Sequence, residues 1–272
     1  MAGQGLIRKG YADITAGQLH FRMRPGGGES VLFLHQTASS GVMWERVMHA
    51  WPGPETLYAI DTPGFGGSFD PPAQPSMTDY ASWIVEAAAG LGLSRFHLVG
   101  HHTGSGIALQ IASDRPELVT SLAMVGVSCL SAEERARFAA KLGAPFRPVR
   151  SGAYLLKNWE YLRVGGADVD VALLHREMVD QLRAWSTRPH AYAAAWAQDG
   201  AALIQQLTIP AIAIAAGDDL LFPSLARVAE LRPDIRCVTL ESGANYEPDL
   251  AAEELTPMLA EHVKLHALRG TR

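Results

Sequence analysis

Cysteine, basic blocks and long apolar runs are all scarce in this chain. Its 272 residues include only two cysteines, Cys129 and Cys237, far apart in sequence and each in apolar surroundings. That argues against a disulfide framework, and reduced core thiols are the expectation. Charged residues make up 19% of the chain, with a net charge of −5 and no cluster of lysine or arginine. Nucleic acid and anionic membranes are therefore not expected as partners. No apolar run approaches the length of a membrane span, and residues 1–6 hold no apolar stretch of signal-peptide length. The expectation is a cytoplasmic protein that binds a small molecule; homo-oligomerisation stays open.

What the chain does have is a composition that is 48% hydrophobic, enough for one large core. Residues 11–24 read as two short strands around Ala16-Gly17, closed by a Pro25-Gly26-Gly27-Gly28 turn. The run Ser30-Val31-Leu32-Phe33-Leu34 is continuously apolar, as a strand covered on both faces would be. A polar loop, His35-Gln36-Thr37-Ala38-Ser39-Ser40-Gly41, follows it, then a helical pattern to about residue 51. Further strands are expected at residues 55–60, 95–99, 121–127, 209–216 and 236–240. Ser76 can cap a helix over residues 77–91, and a closing helix is expected over residues 250–268. Residues 129–200 differ in character: helical in pattern and rich in Ala, Arg and Glu, they carry Tyr154, Trp159, Tyr161, Trp185, Tyr192 and Trp196.

The stretch on which the chain turns is Phe96-His97-Leu98-Val99-Gly100-His101-His102-Thr103-Gly104-Ser105-Gly106. An apolar strand, a sharp turn between two glycines and a helical pattern follow one another there, the order of a nucleophile elbow. The segment resembles the G-x-S-x-G motif of the α/β-hydrolase family. Asp61-Thr62-Pro63-Gly64-Phe65-Gly66-Gly67-Ser68 resembles that family's D-x-P-G-x-G-x-S loop. Gly217-Asp218-Asp219-Leu220-Leu221-Phe222-Pro223 resembles its acid loop, with Asp219 at the acid position. Gly243-Ala244-Asn245-Tyr246-Glu247-Pro248 stands where the family carries its catalytic histidine. The resemblance implies an α/β-hydrolase fold, a mostly parallel central sheet flanked by helices, with a helical cap insertion. The core would comprise residues 1–128 and 201–272, and the cap residues 129–200. It also implies an oxyanion hole from the backbone N–H groups of Thr37 and Thr103. Asp61 is expected to organise its turn, and Asp218 to be a solvated neighbour.

Two triad positions depart from the pattern: His102 replaces the nucleophile and Asn245 replaces the histidine. The standard mechanism needs a hydroxyl or thiol and an imidazole to take its proton, so it cannot run here. Ser105 falls inside the helix start and offers no alternative register, and His262 and His266 are read as surface residues of the last helix. An imidazole is longer than a serine side chain and reaches into the space of the missing histidine. The expected catalytic set is therefore His102, Asp219 and Asn245, with His102 meeting Asp219 directly, through Asn245 or through a water. Gln36, His35, His101, Tyr246, Trp159 and His175 are candidates for contact with substrate. A metal set of His35, His101, His102 and Asp219 matches no ligand-spacing signature, and neither metal nor cofactor is expected.

The activity expected is hydrolysis of an ester, lactone or related carbonyl compound, small and apolar or aromatic, by water that His102 activates. Proton abstraction by the same base, leading to a lyase, decarboxylase, cyclase or cofactor-free oxygenase reaction, is the alternative within enzymes. From another class, a non-catalytic small-molecule receptor would need only the pocket.

Overall fold

A computed structural model describes residues 6–142, 144 and 146–267. Residues 1–5, most of the stretch read for a signal peptide, and Leu268, the expected end of the last helix, lie outside the described residues.

Eight strands form one sheet: β1 (Arg8–Ile14), β2 (Gly17–Arg24), β3 (Ser30–Leu34), β4 (Thr56–Ile60), β5 (Phe96–His101), β6 (Val119–Val125), β7 (Ala211–Ala216) and β8 (Arg236–Leu240). Their order across the sheet is β1-β2-β4-β3-β5-β6-β7-β8. The β1–β2 and β2–β4 pairs are antiparallel, and every later pair is parallel. Helices α1 (Glu45–Ala50), α2 (Met77–Gly90) and α3 (Thr103–Asp114) alternate with the first strands.

The apolar runs are continuous because both faces of the central strands are covered. Side chains alternate along a strand, so Leu32 and Leu34 of β3 face one way while Val31 and Phe33 face the other. The first pair packs with Ile84 of α2 and Ile107 of α3. The second packs with Val47 of α1 and with Leu255 of α11 (Ala252–His266). The parallel strands therefore end at one edge of a two-sided core, the edge where ligands bind in open α/β sheets.

Between β6 and β7 the chain leaves the sheet and forms α4 (Ala132–Leu142), α5 (Ala153–Val164), α6 (Val171–Arg183), α7 (Arg188–Ala197) and α8 (Gly200–Gln206). Helix α9 (Pro223–Leu231) follows β7, and the short α10 (Glu247–Leu250) precedes α11, where one closing helix had been expected. Ser76 caps α2 in a capping box, its hydroxyl accepting from Asp79 N–H while the Asp79 carboxylate accepts from Ser76 N–H. Both cysteines are free. Among the described residues no helix is long and apolar enough to cross a membrane.

One expectation for α11 fails. His262 is buried, on the face that carries Leu255, Leu259 and Val263 toward the sheet, and only His266 reaches partial exposure. Helical spacing decides this: residues 255, 259 and 262 fall on one stripe.

Candidate active site

Strand β5 ends at His101, and helix α3 starts at Thr103, so His102 alone makes the turn. Its backbone has φ +48° and ψ −111°, a left-handed conformation unusual for a side chain with a Cβ. The turn is held by His102 N–H donating to Val125 O and by Gly106 N–H donating to His102 O. Gly100 and Gly104 are needed for close approach. A Cβ on Gly104 would stand 2.5 Å from the carbonyl carbon of Leu34 in β3, and one on Gly100 would stand 2.5 Å from Ser105 N. Ser105 lies inside α3, its hydroxyl donating to Gly100 O and Val125 O.

The His102 ring points at the acid loop, and its Nε2 is 2.5 Å from Asp219 Oδ2. The opposite oxygen, Oδ1, accepts from Leu221 N–H. Room for the imidazole comes from Gly126, just past β6, at φ +58°. A Cβ there would stand 2.5 Å from His102 Nε2 and 3.1 Å from Asp219 Oδ2. Burial alone would raise the Asp219 carboxyl, but the adjacent His102 ring outweighs it and holds the group well below the usual carboxylate range. With Nε2–H committed to Asp219, Nδ1 carries the ring's available lone pair.

Behind this pair lies a second. His101 stacks on His102 with ring centroids 4.3 Å apart, and its Nε2 is 2.7 Å from Glu247 Oε2. Neither His101 nor Glu247 is exposed to solvent at all. Burial, reinforced by the negative charge of Asp219, pushes the Glu247 carboxyl well above its ordinary value. Burial and the neighbouring His102 hold His101 well below its own, so both groups are neutral. Glu247 also hydrogen-bonds Asp219 and accepts from Ala216 N–H at 3.2 Å. Protonated Glu247 can thus donate to Asp219 while accepting from His101 Nε2–H. That assignment leaves His101 Nδ1, which has no partner, as a bare lone pair, and no buried N–H of the cluster is wasted.

A cavity of about 340 Å³ opens over His102, lined by Gln36, Thr37, Thr103, Asn245 and Tyr246 from the sheet side. Tyr161 of α5, Glu177 and Gln181 of α6, and Tyr192 and Trp196 of α7 line it from the inserted helices. A cavity of this size suits a small ligand. Thr103 opens α3, so its N–H is one of the first-turn donors that lack an intrahelical acceptor.

The remaining candidates are placed differently. Asn245 does not join His102 to Asp219: its Oδ1 accepts from Leu220 N–H at 3.2 Å and its Nδ2 donates to Gly165 O at 2.8 Å. It ties the acid loop to the end of α5. His35 does not line the cavity; its Nδ1–H donates to Gln36 O and its Nε2 accepts from Thr62 N–H, so the loop consumes both nitrogens. His101 is sealed behind His102. Trp159 packs into a separate cluster with Leu162 and Leu174, and His175 lies on the exposed face of α6. Asp61 accepts from the N–H groups of Gly41 and Gly67 and bonds His20 Nδ1 at 2.8 Å, holding its loop. Asp218 is exposed, but its Oδ1 also accepts from Gly243 and Ala244 N–H.

Sequence reasoning missed Glu177, Gln181, Gly126 and Glu247. A signal existed for the first two: they recur with Leu173, Leu174 and Met178 at helical spacing, polar residues on an otherwise apolar stripe. The ligating atoms of His101, His102, Asp219 and Glu247 all lie within 4.8 Å of one another, a donor set that suits a divalent cation. Such an ion would have to displace both imidazole–carboxylate hydrogen bonds. His35 takes no part in this set.

Residues 29–143 match the family described as alpha/beta hydrolase fold. The enol-lactonase from Burkholderia xenovorans LB400 superposes with a TM-score of 0.77 at 17% identity, over 94% of this chain and 100% of that one. The chain has the α/β-hydrolase fold. As a sequence of that fold it is 26% identical to a pimeloyl-[acyl-carrier protein] methyl ester esterase of Aeromonas hydrophila, over 88% of this chain and 96% of the esterase. It is 35% identical to a fluoroacetate dehalogenase of a Burkholderia species, over 43% of this chain and only 40% of the dehalogenase. These relatives of the α/β-hydrolase-fold chain are named as hydrolytic enzymes.

Proposed function

We propose that this chain hydrolyses a small apolar or aromatic ester, lactone or related carbonyl compound, with His102 as general base. The observation that carries the reading is the 2.5 Å contact of His102 Nε2 with Asp219 Oδ2, on the floor of a cavity. Asp219 fixes the ring and its tautomer, so Nδ1 takes the proton from water. The resulting hydroxide attacks the carbonyl carbon, and the N–H groups of Thr103 and Thr37 receive the oxyanion. Collapse of the tetrahedral intermediate expels the alcohol, which recovers its proton from the imidazolium. The helices of residues 129–200 act as a cap that gives the cavity its aromatic ceiling, through Tyr161, Tyr192 and Trp196. The names of the esterase and lactonase relatives support an acyl compound as substrate.

The decisive comparison is His102→Ala against the wild type on phenyl acetate and dihydrocoumarin. A general base contributes about 10²–10⁴-fold, so kcat/KM should fall at least a hundredfold. Equal turnover by the variant overturns the mechanism. A wild type that binds such compounds but turns over none of them points to a receptor.

A further inference from the structure

Opposite the catalytic floor the cavity has one polar wall. Glu177 and Gln181 stand one turn apart on the buried face of α6, among the aromatic residues that line the rest of that side. The hydrolytic chemistry has no use for either. Gln181 is 3% exposed and lines the cavity, and its Oε1 has no hydrogen-bond partner. A buried carbonyl oxygen without a donor is a cost that folding alone leaves uncompensated and that a ligand can recover.

Glu177 is fixed by its surroundings. Its Oε1 accepts from the Ser39 hydroxyl at 2.9 Å and from Arg176 at 2.6 Å. Arg176 also grips both oxygens of buried Asp249 at 2.7 Å each. One guanidinium therefore serves two buried carboxyls, and Asp180, which accepts from Ser40, adds a third acid close by. With more carboxyls than cations, the cluster is best balanced when an acid keeps its proton. Burial first, and then Asp180 against the pull of Arg176, pushes Glu177 up to about 7. When it carries its proton, Glu177 sets an O–H donor one helical turn from the unpaired acceptor of Gln181.

We propose that Glu177 and Gln181 form a recognition subsite for a neutral hydroxyl group on the substrate, remote from the carbonyl that reacts. With the Gln181 amide turned so that Oε1 meets the cavity, the hydroxyl hydrogen goes to it, and the hydroxyl oxygen accepts from the Glu177 carboxyl. A carboxylate at the same place has no hydrogen to give Gln181 Oε1, sets acceptor against acceptor there and binds more weakly. The substrate class sharpens to a hydroxylated aromatic or alicyclic ester or lactone. The inference rests on the cavity being the substrate site, and not on the role of His102.

The test is calorimetric titration of the full chain with three matched ketones that cannot be hydrolysed: acetophenone, 4-hydroxyacetophenone and 4-acetylbenzoate. The wild type should bind the hydroxy ketone about tenfold tighter than acetophenone, and acetylbenzoate at least tenfold more weakly than acetophenone, the scale of one to two buried hydrogen bonds. Gln181→Leu should bind acetophenone at least as well as the wild type does and lose the hydroxyl preference. Gln181→Met, closer to glutamine in shape, gives the same reading if the leucine variant does not fold. Glu177→Gln, which keeps a neutral donor, should retain the preference. Equal binding of the three ketones, no binding of the hydroxy ketone by the wild type, or a preference undiminished in the Gln181 variants overturns the subsite. An ester assay that fails while the hydroxyl preference survives removes the hydrolytic reading alone.

Discussion

His102–Asp219 and His101–Glu247 are the same pair of functional groups, built from adjacent histidines with stacked rings, yet they are set for opposite work. The first reaches the cavity and holds an ionised carboxylate; the second is sealed and neutral. Desolvation penalises the charged form of every group in the cluster. One negative charge can be supported there, because two imidazoles and an acid proton surround it, but a second carboxylate beside it cannot. The carboxylate nearer the cavity takes the charge, and the deeper acid keeps its proton and donates it. Sequence neighbours thus divide into a charged pair that reaches the cavity and a neutral pair sealed behind it, through burial together with the charges that surround each acid.

The widest separation between the pairs should come from Asp219→Asn. An amide cannot stabilise the imidazolium and can fix the wrong tautomer, so ester turnover should drop about 10²–10⁴-fold with the fold intact by circular dichroism. Activity within a factor of three of the wild type would erase the distinction. Gly126→Ala comes next. Its Cβ collides with the His102 ring at a backbone angle that disfavours any side chain, so the ring must leave Asp219. A shift of about 1 Å is worth roughly 100-fold in rate, and a crystal structure of the variant should show the Nε2–Oδ2 contact lengthened.

His262 sharpens the comparison as a buried histidine whose Nε2 has no partner. Burial, helped by His266, lowers it to about 4 from 6.5. Because its folded value lies below its unfolded one, its contribution is complete above pH 6.5 and is lost as pH falls through 4. That window spans about 3 kcal/mol at 1.36 kcal/mol per unit. Urea titrations at pH 7.5 and 4.5 should show His262→Gln with a shallower loss than the wild type; parallel losses would contradict it. The smallest effect belongs to Glu247→Gln. An amide keeps a donor for Asp219 and one acceptor but cannot accept at both ends as the acid does from His101 and Ala216, so stability should fall by about 1–2 kcal/mol and kcat/KM less than tenfold. An effect as large as that of Asp219→Asn would mean that Glu247 is ionised.

The legible part of the site was its skeleton. Gly100 and Gly104 bracketed the turn, and the count back from Pro223 singled out Asp219. The fold was legible in the same way, from apolar runs such as residues 30–34 and 211–216 and from the loop landmarks between them. His175 and Trp159 show where reading stopped. Composition singles out a histidine and a tryptophan in the inserted helices, but which face of α5 or α6 meets the cavity depends on how those helices pack. Asn245 shows the same limit for a loop. Its position matches a catalytic one, while its amide is spent on Leu220 and Gly165, two partners that no local pattern reveals.

The sequence by itself determined the order of strands, turns and helices and the absence of a serine at the elbow, because these follow from side-chain period, glycine placement and residue identity. Only the tertiary structure decided that Gly126 makes room for an imidazole, that Glu247 lies beside Asp219, and that Glu177 and Gln181 face the same cavity as His102. Those facts join residues 24 to 79 positions apart. Proton placement depends on distance and desolvation in space, which separation along the chain does not encode.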